Sequence, residues 1–242
     1  METKSRWGVI LGGYQYGLDC WTKSFPMSFD PQVERSGDQI ILWTTDLNLA
    51  KNSKEAWDNA KPLVGRLNGL MHILHSAEPL NLTAIAEPNE TGGITRHHIL
   101  EAEVGRFRIT GGIIGSLVGK TCSDGLTGPS RTQEQLLADA AGSSNELTDA
   151  LVCCSKTDNW FELYKAWECI KDHLAPNTVT SLGMTTKTEL DRFTRTVNSL
   201  YRHRKGRYIP PSNEMKIGEA RDFVFGLLRS CLERTASEGK QA

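Results

Sequence analysis

A chain of 242 residues, 38% hydrophobic and 24% charged, is long enough to bury a substantial core and to form two compact units. Its formal net charge of −1 excludes a protein that coats nucleic acid through total charge alone. Met1-Glu-Thr-Lys-Ser-Arg6 lacks the apolar core of a signal peptide, and no stretch approaches the roughly 20 apolar residues of a membrane span. The expectation is a cytoplasmic protein with no membrane partner. The six cysteines at 20, 122, 153, 154, 169 and 231 contain no CxxC pair, so they are expected to be reduced and mostly buried.

Trp7 to Leu11 is a short β-rich run, and Gly12-Gly13 followed by Tyr14-Gln-Tyr-Gly-Leu18 reads as a turn into a second strand. Ile40 to Thr45 is the clearest strand of the chain. The period then changes. Asn52 with Glu55 resembles a capping box, and Ala56, Trp57, Ala60, Leu63, Val64, Leu67, Leu70, Met71 and Leu74 recur at three- and four-residue steps. That spacing predicts one amphipathic helix, with Pro62 as the place for a kink and Gly65 and Gly69 allowing close approach to a sheet. Leu82 to Ala86 reads as a strand and Glu87 to Gly93 as a turn. From Ile99 apolar residues alternate, with a β-bulge expected at Gly105-Arg106.

Gly115 to Arg131 is rich in Gly, Ser and Thr and contains Gly128-Pro129, which marks a boundary. Beyond it the patterns are helical: a segment opening at Thr132, a second over Asn145 to Cys154, and a third from Trp160 to Leu174, stopped by Ala175-Pro176. A fourth is opened by a Thr186/Glu189 capping box. A fifth is expected to be capped by Ser212 or Asn213, and residues from Thr235 onward to fray. The fold class is therefore α+β: a small antiparallel sheet with one covering helix over 1–115, a linker over 116–131, and an all-α up-and-down helical bundle over 132–242.

Chemistry-bearing residues are few. Gly111-Gly-Ile-Ile-Gly-Ser-Leu-Val-Gly-Lys-Thr121 suggests a phosphate-cradling loop, but position 114, where that loop needs glycine, is Ile, and Gly128-Pro129 breaks any following helix. His72, His75, His97 and His98 lack the cysteine spacing of a zinc site, so no metal and no cofactor is expected. No Gly-x-Ser-x-Gly elbow and no His-Glu-x-x-His is present.

Charge, by contrast, is uneven. From Lys187 to Arg221 nine Lys or Arg face four acids, which leaves this segment at +5 and the rest at −6. Arg195, Asn198 and Arg202 share one helix face, and His203 adjoins it. Arg202 is suited to a phosphodiester, His203 to proton exchange with a ribose hydroxyl, and Asn198 to orienting either, with Arg195, Arg204, Lys205 and Arg207 as further nucleic-acid contacts. The structural reading of the same residues is that cations complement the helix dipole and Arg202 pairs with Glu219.

At these residues a resemblance emerges. Phe161-Glu-Leu-Tyr-Lys-Ala-Trp-Glu-Cys-Ile170, then Phe193, Asn198, Arg202-His203, Pro210-Pro211 and Met215-x4-Ala220-Arg221-x-Phe223 resemble the C-terminal part of bacterial proteins similar to HEPN domains. The resemblance implies a helical bundle, often dimeric, found in toxins, phage defence and RNA processing, and in many members a metal-independent ribonuclease. Activity in that family rests on an Arg followed after four to six residues by a His. Here Arg202 adjoins His203, and Arg195 lies seven intervening residues upstream. Two readings follow. One is an RNA-binding or RNA-cleaving defence or toxin component. The other is a non-catalytic module that docks a partner subunit, or a second copy, through its bundle.

Overall fold

The computed structural model describes residues 6–37, 39–89, 93–99, 130–156, 159–199 and 211–239. Five strands form one antiparallel sheet: β1 (Gly8–Gly12), β2 (Gln32–Ser36), β3 (Gln39–Trp43), β4 (Asn81–Pro88) and β5 (Ile94–His97), in the order β2-β3-β1-β4-β5. Among the described residues seven α-helices accompany it: α1 (Gln15–Ser24), α2 (Ser53–His75), α3 (Gln133–Gly142), α4 (Asn145–Cys154), α5 (Trp160–Leu174), α6 (Lys187–Val197) and α7 (Ile217–Glu238). The expected α+β class with a helical C-terminal part is what the chain forms.

Alternation sorts each strand's residues to two faces. Val9, Leu11, Val33, Ile40, Leu42 and Ile85 join the main core with the helices, whereas Ile10, Ile41, Trp43, Ala84 and Ala86 form a second apolar cluster. The register of β1 on β4 shifts between Ile10 and Leu11, a bulge inside the central pair.

Helix α2 is the hub. Asn52 Oδ1 accepts from Glu55 N–H at 2.9 Å and starts it, and Ser76, left-handed at φ 51, ends it. It lies on β4 with one side and on α3 and α4 with the other. Asn68, nearly fully buried, accepts from Leu80 N–H (2.7 Å) and donates to the Leu80 carbonyl (2.8 Å), which sets the entry to β4. A Cβ on Gly69 would overlap the Leu151 backbone carbonyl, and one on Gly65 would come to 3.4 Å of Val152. The two glycines therefore admit α4, not the sheet as the sequence suggests, since the atoms nearest to a Cβ at either position belong to Leu151 and Val152.

Two further elements differ from expectation. Tyr14 to Leu18 enters helix α1, because Gly17, Trp21 and Ser24 repeat at helical steps and Trp21 packs edge-on to Phe25 at 5.6 Å. The fifth helix of the C-terminal part, α7, begins after Lys216 rather than Ser212 or Asn213, and continues through Thr235 to Glu238. Lys216 N–H donates to Glu219 at 2.8 Å there, and Arg229–Glu233 and Arg234–Glu238 pairs support the last turns.

The helices α3, α4, α5 and α7 pack on one another, and their buried residues belong to the same hydrophobic cluster as α2 and the sheet. Helix α3 also locks the loop before β2. Fully buried Gln135 donates from Nε2 toward the carbonyls of Pro26 (3.2 Å), Phe29 (2.8 Å) and Pro31 (3.0 Å), and Thr132 Oγ1 donates to the Ser24 carbonyl (2.6 Å). The proposed linker, apart from Ser130 and Arg131, lies outside the described residues, as does the alternating run with its bulge beyond Ile99.

Candidate functional site

Helix α6 carries the described part of the expected site. Thr186 caps it by accepting from Glu189 N–H at 3.2 Å, and Phe193, Thr196 and Val197 bury one stripe. Phe193 packs on Phe223 of α7 (ring centroids 5.3 Å) and on Trp167 of α5 (6.5 Å). Thr196 Oγ1 donates to the Arg192 carbonyl (2.8 Å) and accepts from Met215 N–H (3.2 Å), so the chain entering α7 is bound to α6. Arg192 completes the joint, reaching the Asn213 carbonyl at 2.7 Å and Glu219 at 3.1 Å. Part of the basic segment is thus architectural.

The Lys216 N–H bond first, and then the Arg192 charge, hold the Glu219 carboxyl below its ordinary value. Glu219, which the sequence offers to Arg202, is therefore already engaged by Arg192.

Of the expected site residues, Arg195 is exposed on α6 and Asn198 stands at its C-terminal end. Asn198 Oδ1 is buried with no hydrogen-bond partner among the described residues. Beneath it Ser199 Oγ donates to the Arg195 carbonyl at 2.7 Å. Arg202, His203, Arg204, Lys205 and Arg207 lie outside the described residues, and so does the glycine-rich 111–121 segment.

The histidines divide among separate partners. His75 Nε2 meets Glu134 at 2.8 Å, and His97 Nε2 meets Glu87 at 2.9 Å while its ring stands edge-on to Trp7. Among the described residues no group of three His, Cys, Asp or Glu is placed to hold a metal ion.

Two clefts were not foreseen. One, about 470 Å³, is lined by Asp30, Thr44, Asp46, Arg66, Asp139 and Ser143. Asp30 accepts from Thr45 N–H (3.0 Å) and Thr45 Oγ1 (2.9 Å), Arg66 holds Asp46 at 3.1 Å, and Arg131 holds Asp139. Burial raises the Asp139 carboxyl against the opposing pull of Arg131. Its charges are largely closed on one another.

The other cleft, about 400 Å³, lies between the end of α2 and the middle of α7 and is lined by His72, Ile73, Ser76, Arg221, Phe225 and Arg229, with Asp222 and Gly226. His72 Nδ1 is 3.2 Å from the Ala77 carbonyl, which can only accept, so the neutral ring keeps its hydrogen there and its lone pair on Nε2. Arg221 belonged to the basic count in the sequence. No signal in the sequence links it to His72 and Ser76, which lie far away in the chain.

The fold and these sites define an α+β protein with a helical C-terminal part and a cleft between α2 and α7 lined by Arg221, Asp222 and Arg229. Compared with known proteins, the chain matches no family model, no characterised protein and no solved structure.

Proposed function

We propose that this protein binds RNA through the basic end of α6, and that in the catalytic form of the reading His203 is the general acid or base and Arg202 neutralises the scissile phosphate. The observation that carries it is Asn198: a carboxamide oxygen buried without a partner among the described residues, one turn from exposed Arg195, and four residues before the run Arg202-His-Arg-Lys-Gly-Arg207 begins. A buried acceptor left unpaired costs about 1–3 kcal/mol, and a ligand donor such as a ribose 2′-hydroxyl would recover it. The family resemblance of this segment points the same way.

Binding is tested by fluorescence anisotropy of a single-stranded RNA across a salt series, and cleavage by incubation of the same RNA in EDTA. Affinity is expected to fall with salt, and Arg195→Gln to reduce the slope by about one phosphate contact. His203→Ala is expected to remove EDTA-resistant cleavage with an unchanged melting temperature. Salt-insensitive or absent binding ends the RNA reading; binding with equal cleavage by the His203 variant ends its catalytic form. The second reading, a docking module, draws on Phe161, which is 67% exposed at the start of α5.

A further inference from the structure

We propose that the cleft lined by Asp30, Asp46, Arg66, Asp139 and Gly142 is a binding site for a free α-amino acid with an uncharged side chain. The proposal is independent of the RNA reading, since none of these residues belongs to the end of α6.

The need for an ammonium follows from a surplus of negative charge. Asp30 in the loop before β2, Asp46 in the short turn Thr45–Leu47 after β3, and Asp139 of α3 line one cleft of about 470 Å³. Arg66 holds Asp46 and Arg131 holds Asp139. Asp30 has no cation among the described residues. It accepts from Thr45 N–H (3.0 Å), Thr45 Oγ1 (2.9 Å) and Thr44 Oγ1 (3.3 Å), all neutral donors that fix the carboxylate in place without cancelling its charge. The three carboxylates also act on one another: burial first, and then the charges of Asp30 and Asp46, raise the Asp139 carboxyl against the pull of Arg131 and Arg66. Asp139 stands in the last turn of α3, where the helix dipole adds to the negative potential.

Carboxylates alone would suit any cation, and the opposite wall narrows the choice. Arg66 is 14% exposed, and its guanidinium is only partly used. Its Nη2 meets Asp46 at 3.1 Å, its Nε is buried with no partner, and its Nη1 has no hydrogen-bond partner among the described residues. Gly142, the last residue of α3, lies beside that nitrogen, and a Cβ built there would come to 3.0 Å of Nη1. Any other residue would close the gap. Glycine is a poor helix former, and at this place its effect is to leave Arg66 open to the cleft. A planar guanidinium with an unused donor favours a carboxylate.

A carboxylate and an ammonium on one carbon satisfy both walls at once. An amine alone would leave Arg66 unanswered, and an acid alone would meet the aspartates. Pro31 and Ala138 supply the apolar part of the lining, which suits an uncharged side chain, and an acidic one would again face Asp30 and Asp139.

Isothermal titration of the full chain at low ionic strength tests this, with L-alanine, L-serine, L-valine and L-leucine titrated singly. At least one is expected to bind, and its N-acetyl and methyl ester derivatives, each lacking one of the two charges, to bind at least about tenfold more weakly. Asp30→Asn is expected to weaken the free amino acid by at least about tenfold. Gly142→Leu is expected to abolish binding while the melting temperature stays level or rises, which separates a blocked cleft from a damaged fold. The proposal is overturned if none of the four binds, or if the Gly142 variant binds as the parent does. A methyl ester that binds as tightly as the free acid removes Arg66 from the site, and an N-acetyl derivative that does so removes the aspartates; either result overturns the amino-acid assignment.

Discussion

At the scale of single residues, Asn198 shows how a stability measurement can report on function. A side chain kept for packing loses stability when truncated, whereas the Oδ1 of Asn198 has no partner among the described residues whose hydrogen bond truncation would remove. Asn198→Ala is therefore expected to leave the urea midpoint level or raise it, and at the same time to weaken RNA in the anisotropy assay. A clear loss of stability would mean that the carboxamide has a structural partner, and would remove the argument for a ligand there.

The thiols carry a pH prediction on the same scale. Burial, followed by the hydrogen bond and charge of Glu162, pushes the Cys153 thiol up to about 12; burial pushes Cys231 up to about 11 and raises Cys154 as well. A folded value above the unfolded one stabilises the fold below the ordinary thiol value of 9.0, and that contribution is lost as pH rises from there toward the folded values. Urea midpoints are expected to fall between pH 9 and 12, and less so in Cys153→Ser. Identical profiles for parent and variant would show that Cys153 does not contribute.

Among elements, the legible ones were those whose caps and periodicity agree. Helix α4 runs from Asn145 to Cys154 and α5 from Trp160 to Leu174 because Ser144 and Asn159 cap them and Leu147, Leu151, Leu163 and Ile170 repeat at helical spacing. Strand β2 was not legible: Val33 is its one buried apolar residue, and its partner β3 decides the pairing. Helix α1 was obscured by aromatic residues that alternate like a strand, and only the contact of Trp21 with Phe25 settles the period. The run of cations from Arg202 to Arg207 could be read from the sequence alone and lies outside the described residues, whereas the α2–α7 cleft depends on residues that only the tertiary fold brings together. The close contact of α2 with α4 is the element-scale feature most open to test. Gly69→Ala must push the Leu151 backbone away, and is expected to cost about 1–3 kcal/mol by urea denaturation despite alanine's better helix propensity. A neutral or stabilising result would mean that the two helices lie further apart.

For the whole molecule, the decisive fact is that sheet, α2 and the later helices contribute to one hydrophobic cluster. Leu67 and Met71 of α2 are fully buried, as are Leu147 and Leu151 of α4 and Leu228 of α7. A chain built on one such cluster should unfold as one body, because separating the sheet from the helices would expose both sides of α2. Leu67→Ala is expected to destabilise by about 2–5 kcal/mol, as removal of a buried leucine does. The informative readout is where that loss is felt. Two single-tryptophan variants, one retaining Trp21 beside the sheet and the other Trp167 in α5, report on the two halves, and both are expected to shift by the same urea increment when Leu67→Ala is added. If only the Trp21 reporter moved, the halves would be thermodynamically separate, and residues 132–242 would fold alone.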